Sequence, residues 1–166
     1  MEVSVENVPA ETRWTIATQA LSGVVTAHMK ALYDVAGPEQ FNKIVGQIWG
    51  QTGQGAKQVA DALGMKVDDA KGVAEAWAIV STITMGPEMK TEIVEASKEK
   101  TVLKGTGCPI LNRVKEFGIT DDIINAGDTA YCEELTKSLS PNVTITHEKR
   151  MHNGDPFCEW IFEIKK

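Results

Sequence analysis

The sequence reads as an α+β fold, and three observations carry that reading. In the first half, apolar residues recur at three- and four-residue steps, the period of helices. The second half turns to short β-branched runs and closes with NVTITHEKR and PFCEWIFEIKK around an Asn-Gly turn, a strong hairpin signal. Two helical stretches separate its hairpins. The expected architecture is an N-terminal helical layer packed on a small four-stranded antiparallel sheet with two inserted helices. At 166 residues, the chain is expected to be a single domain, 1–166, with 1–12 as an arm, 13–86 as a helical half and 90–166 as a sheet-containing half.

A first helix is expected from Glu11 or Thr12, with Trp14, Ala17, Leu21, Val24, Val25, His28, Leu32 and Val35 on its apolar face. Gly37-Pro38 ends it, glycine past the end and proline opening the next helix. The second carries Phe41, Ile44, Val45, Ile48, Ala56, Val59, Ala60 and Leu63, and stops at Gly64. The third starts near Asp68, a good N-cap, and runs through Val73, Trp77, Val80 and Ile83 to Gly86-Pro87. A hairpin follows, Thr91 to Ala96 and Lys100 to Lys104 around SKEK. Cys108 then caps a short helix with Pro109 in its first position, and a longer helix spans Thr120 to Leu139, ended by Ser140-Pro141.

If Asn153 and Gly154 are the central turn residues of the last hairpin, its register follows. Lys149 faces Cys158, His147 faces Trp160, Ile145 faces Phe162 and Val143 faces Ile164. Glu148 with Glu159, Thr146 with Ile161 and Thr144 with Glu163 take the other face. Nearly all apolar side chains then share one face, with Cys158 and His147 pointing inward.

Composition excludes several functions. Net charge is −6 with no run of Lys or Arg, so nucleic acid is not an expected partner. MEVSVENVPAETRW has neither the basic start nor the apolar core of a signal peptide, and the stretch Ile16 to Val35 is too polar to span a bilayer. Three cysteines, an odd number, then point to a reducing cytoplasm and free or metal-bound thiols. GQIWGQTGQGA, residues 46–56, lacks the GK[ST] ending of a phosphate loop, and no nucleotide cofactor is expected. Its glycines fit close helix packing, or a helix wall left low for a ligand. Trp14, Trp49 and Trp77 fit a core or a pocket lining, and His28 fits a core histidine.

The chemistry rests on Cys108, Cys132 and Cys158. A thiol at a helix N-terminus faces unpaired N–H groups and the positive end of the dipole, which favours thiolate at Cys108. Cys132 shares a helix side with Asp128 and Thr129 behind it and with Leu135 and Thr136 ahead. Each of Cys132 and Cys158 alone reads as a small buried apolar residue. Together the three fit a thiolate metal site, with Glu133, His147, His152, Asp155 or water as fourth ligand.

Cys-Pro at 108–109, Cys-Glu at 132–133 inside a helix, Pro141 just past it, and Gly-Asp-x-x-Cys at 154–158 form an ordered set. It resembles the L-2-amino-thiazoline-4-carboxylic acid hydrolase-like family, which is similar in fold to the 4-vinyl reductase domain and to transport-particle subunits. The resemblance is loose over the whole chain and matches in motif over 105–160. It implies hydrolysis of a C–N bond in a small sulfur-containing heterocycle, or binding and sensing of a small molecule beside a cysteine-rich zinc site. By position it implies Cys108, Cys132 and Cys158 as metal ligands with Glu133 as acidic partner, and zinc, with iron as the alternative. The closely spaced extra cysteine of some sensor relatives is absent here. Two mechanisms fit a hydrolase: metal-activated water, or attack by a Cys108 thiolate with His147 or His152 carrying the proton. A third class, a tethering or assembly subunit, comes from the fold relatives and the apolar helix faces, which also imply a homodimer.

Overall fold

The computed structural model describes residues 4–166. Its first helix, α1 (Ala10–Gly53), is longer than the sequence pattern suggests and is broken in the middle. At Gly37 the backbone takes φ 73° and ψ 168°, a conformation glycine reaches without strain, and Pro38 restarts the helix. The expected end is therefore a sharp kink between two helical rods. A turn at Gln54-Gly55 separates the short α2 (Ala56–Ala62), expected as part of the same helix. α3 (Ala70–Met85) is capped by Asp69, whose carboxylate accepts from the Gly72 N–H at 2.8 Å, one residue later than expected.

Then come β1 (Lys90–Ala96), β2 (Lys100–Gly107), α4 (Pro109–Glu116), α5 (Asn125–Leu139), β3 (Val143–Lys149) and β4 (Cys158–Ile164). A single 3₁₀ turn, Asp121–Ile123, precedes α5, so the second inserted helix starts five residues later than the sequence suggests. The four strands form one antiparallel sheet in the order β1-β2-β4-β3, packed on one face by α3 and α5. This is the α+β sandwich expected.

The last hairpin keeps the expected register from His147↔Trp160 outward to Val143↔Ile164. Near the turn it departs. A 3₁₀ turn at Met151–Asn153, closed by Gly154 at φ 96°, replaces the two-residue loop. The longer loop is absorbed by an irregularity between His147 and Lys149, so Lys149 pairs with Glu159 instead of Cys158. Beyond it the strand alternation still buries Cys158, Trp160 and Phe162.

Two apolar clusters form the core. Trp77 of α3 packs on Trp160 and Phe162 with ring centroids 5.0 and 6.0 Å apart, joined by Leu103, Val73 and Leu135. Phe41 and Val45 of α1, Leu111 and Val114 of α4, and Ile123 form the second.

The first half of α1 is inside out. Thr18, Ser22, Thr26 and Met29 face inward, whereas Leu21 (57%), Val24 (55%) and Val35 (89%) are exposed. Expected core residues therefore lie on the surface, and so does His28, whose Nδ1 is 2.7 Å from the Val24 carbonyl oxygen. The second half of α1 packs on α5. A Cβ at Gly53 would stand 2.7 Å from the Leu135 nitrogen and 2.9 Å from the Tyr131 oxygen, so close helix packing is the role of Gly53, whereas a Cβ at Gly50 would meet nothing nearer than 3.5 Å and one at Gly55 nothing within 4 Å.

Candidate functional site

α5 supplies two of the site's side chains because residues four apart share a helix face. Asp128 and Cys132 sit one turn apart, and the Cys132 thiol donates to Asp128 Oδ1 at 3.7 Å. Strand alternation turns His147 of β3 inward, and its Nε2 lies 3.6 Å from Asp128 Oδ2. Donor atoms of Asp128, Cys132 and His147 all lie within 4.8 Å of one another.

The turn after β3 braces this trio. Arg150 Nη1 donates to Thr129 Oγ1 at 2.8 Å and Asn125 Oδ1 at 2.9 Å, and stands 3.5 Å from Asp128 Oδ2. The Arg150 backbone N–H is held by Asp155 Oδ2 at 2.8 Å, which fixes where the arginine leaves the turn. Asp155 is thus a turn-forming residue. Sequence reasoning missed Arg150, because nothing in local spacing places a turn residue on a helix two elements earlier.

Burial sets the protonation states. It pushes the Asp128 carboxyl up, with His152 and Arg150 pulling the other way. His147, only 6% exposed at its side chain, is held down to about 4, first by burial and then by the Arg150 and His152 charges. At neutral pH it is an uncharged imidazole, so its approach to Asp128 is not an ion pair. Burial also lowers His152 and raises Cys132 and Cys158. The buried Nε2 atoms of His147 and His152 have no hydrogen-bond partner among the described residues.

The cysteines divide. Cys132 belongs to the trio. Cys158 is buried beside it and accepts from the Met151 N–H at 3.3 Å. Cys108 caps α4 as expected, accepting from the Leu111 N–H at 3.5 Å. Yet its thiol is pushed up to about 12, because burial outweighs the helix N–H groups. The thiolate expected at Cys108 is corrected accordingly. Neither Cys108 nor Cys158 is in the donor group within 4.8 Å. Glu133 is corrected too: one residue on from Cys132 it turns about 100° around the helix, is exposed, and faces a separate surface hollow with Asn125 and Asn153. The acidic member is Asp128, and the four-residue step back from Cys132 was its sequence signal.

Asp128 also opens onto a cavity. A chamber of about 60 Å³ is bounded by Trp49, Ser81, Met85, Cys108, Asp128 and Tyr131, among others. A second of about 250 Å³ adjoins it and shares Trp49, Met85, Ile110 and Tyr131. Trp49 is therefore a pocket wall, Trp77 is core, and Trp14 donates from Nε1 to the Ile83 carbonyl at 3.1 Å.

A family model, L-2-amino-thiazoline-4-carboxylic acid hydrolase, matches residues 15–162. No curated protein matches the chain. Among solved structures it is similar to the phenol-responsive sensory domain of the transcription activator PoxR, crystallised with phenol. That likeness has 13% identity and a TM-score of 0.64, over 86% of this chain and 74% of that one. It is also similar to a trafficking protein particle complex subunit 3 from Naegleria fowleri covalently bound to palmitic acid. There identity is 14% and the TM-score 0.59, over 91% of this chain and 96% of that one. Such identities establish a shared fold. Among the described residues, no helix is long and apolar enough to cross a membrane.

Proposed function

The chain belongs to the L-2-amino-thiazoline-4-carboxylic acid hydrolase family, and from that premise we propose that it binds a small molecule in the cavity beside Asp128, next to a metal centre formed by Asp128, Cys132 and His147. The observation carrying this reading is that Asp128 belongs to both the cavity wall and the donor trio. The family name supports hydrolysis of a C–N bond in a small heterocycle as the reaction. The phenol and palmitic acid held by the two fold neighbours support a ligand cavity in this architecture.

The donor set fits a metal. Four-coordinate zinc with bonds of about 2.0–2.3 Å places its ligand atoms roughly 3.3–3.8 Å apart, and this trio lies within 4.8 Å. Among the described residues, His147 Nε2 is a buried nitrogen without a hydrogen-bond partner, and the Cys132 thiol has only a long contact to Asp128. Zinc suits one thiolate, one imidazole and one carboxylate, and iron is the alternative. Such an ion supplies Lewis-acid polarisation and a more acidic bound water. The residues do the rest. Arg150 would orient Asp128, and His147, neutral at pH 7, would offer its Nε2 to the ion.

Metal analysis of the protein purified untagged under reducing conditions tests this. About one equivalent per chain, lost in Cys132→Ser, is expected from a single trio. Absence of metal from the wild type, together with no binding on titration, would overturn the metal centre.

A second reading, assembly of two copies, is favoured by the outward apolar stripe of Ile16, Leu21, Val24 and Val35 on α1. Light scattering of wild type against a Leu21→Glu, Val24→Glu double variant tests it: a dimer that becomes a monomer supports it, and a monomeric wild type rejects it.

A further inference from the structure

The cavity's walls carry information about ligand charge. Of the described residues lining the two chambers, Asp128 alone is charged, and it is acidic. The remainder are Trp49, Tyr131, methionines and aliphatic side chains, with a few hydroxyls, the Cys108 thiol and Gly127. Arg150, the cation beside Asp128, belongs to neither wall, and its Nη1 is taken up by Asn125, Thr129 and Asp128. A carboxylate entering the cavity would lose its water and find no cation in the walls, an unfavourable exchange.

The inner chamber does offer hydrogen bonds to an uncharged group. Ser81 is fully buried, its Oγ has no partner among the described residues, and it lines that chamber. The Tyr131 hydroxyl stands beside it on the same wall. A buried hydroxyl without a partner is unfavourable, and a ligand head group placed between Ser81 and Asp128 would satisfy it. The outer chamber, larger and without a charged residue, suits an apolar body.

From these features, and resting on the ligand-cavity reading above, we infer that the cavity selects an uncharged apolar molecule with a hydrogen-bonding head group and discriminates against carboxylates. The head group lies at Ser81 and Asp128, and the body packs on Trp49, Met85, Ile110 and Tyr131. The inference separates this chain from the carboxylic acid in its family's name.

The test uses benzyl alcohol, benzoate and toluene, which share a ring and differ in head group, titrated into the metal-free full chain at pH 8. Ligand-observed NMR reads the affinities. Benzyl alcohol is expected to bind about tenfold or more tighter than benzoate, and Ser81→Ala to bring it close to toluene. Benzoate binding as tightly as the alcohol would overturn the inference and leave the cavity reading standing. Alcohol and toluene binding equally to the wild type would remove the head-group assignment. If none of the three binds, the cavity reading fails and the inference falls with it.

Discussion

Asp128 and Cys132 face the same way from consecutive turns of α5, thiol to carboxylate oxygen 3.7 Å, and His147 meets both from the adjacent strand. One helix face and one strand face therefore bring together the chemistry that the sequence scatters over 20 residues. This placement depends on α5 being held firmly against α1, and the first prediction concerns that contact.

Gly53→Ala is expected to destabilise the fold by about 1–3 kcal/mol, because the added carbon would meet the α5 backbone, which cannot rotate away. Gly50→Ala places its carbon 3.5 Å from the movable Glu134 side chain. It should be neutral, or stabilising by up to about 1 kcal/mol from helix propensity. Urea unfolding of the two variants separates them; equal losses would contradict the packing assigned to Gly53.

Much of the fold was legible in the sequence because alternation and helical period report burial directly. The closing hairpin shows this best: Trp160 and Phe162 point inward whatever the turn does. The irregularity near Lys149 was not legible, since it follows from a loop one turn longer than Asn153-Gly154 alone implies. α1 misled for a different reason. Its period marks an apolar stripe, but the protein places Thr18, Ser22 and Thr26 inside, and sequence period cannot tell an inner face from an outer one. At the site, Cys132 and His147 could be placed inward from spacing. Asp128 lies one helical turn before Cys132, but the Cys-Glu pair at 132–133 points to Glu133 instead, and the place of Arg150 follows only from the tertiary structure.

Lowering the pH should destabilise the metal-free protein through His147. Its folded value, about 4, lies below the ordinary 6.5, so between those values the unfolded chain binds the proton and the folded one does not. That contribution is fully present above about pH 6.5 and is lost as pH falls toward 4. Asp128, raised by burial, works in the opposite sense, so the comparison is with His147→Gln. The wild-type stability profile should fall more steeply than the variant's between pH 7 and 5, as read by urea midpoints. Parallel profiles would remove His147 from the linkage.

The native thiols should react slowly. All three cysteines are held above their ordinary range by burial, Cys108 at about 12, so little thiolate is present near pH 7.5. Iodoacetamide labelling followed by mass spectrometry should show each site modified about tenfold or more slowly than in the urea-unfolded chain. Rapid, selective labelling of Cys108 would restore the nucleophile reading.

The most direct test of the centre is cobalt substitution, which reports thiolate ligation by its absorption. Metal-free protein titrated with Co(II) should develop a sulfur-to-metal charge-transfer band saturating near one equivalent, retained in Cys108→Ser and Cys158→Ser and abolished in Cys132→Ser. A band that survives loss of Cys132, or no band in the wild type, would contradict a metal centre built on Asp128, Cys132 and His147.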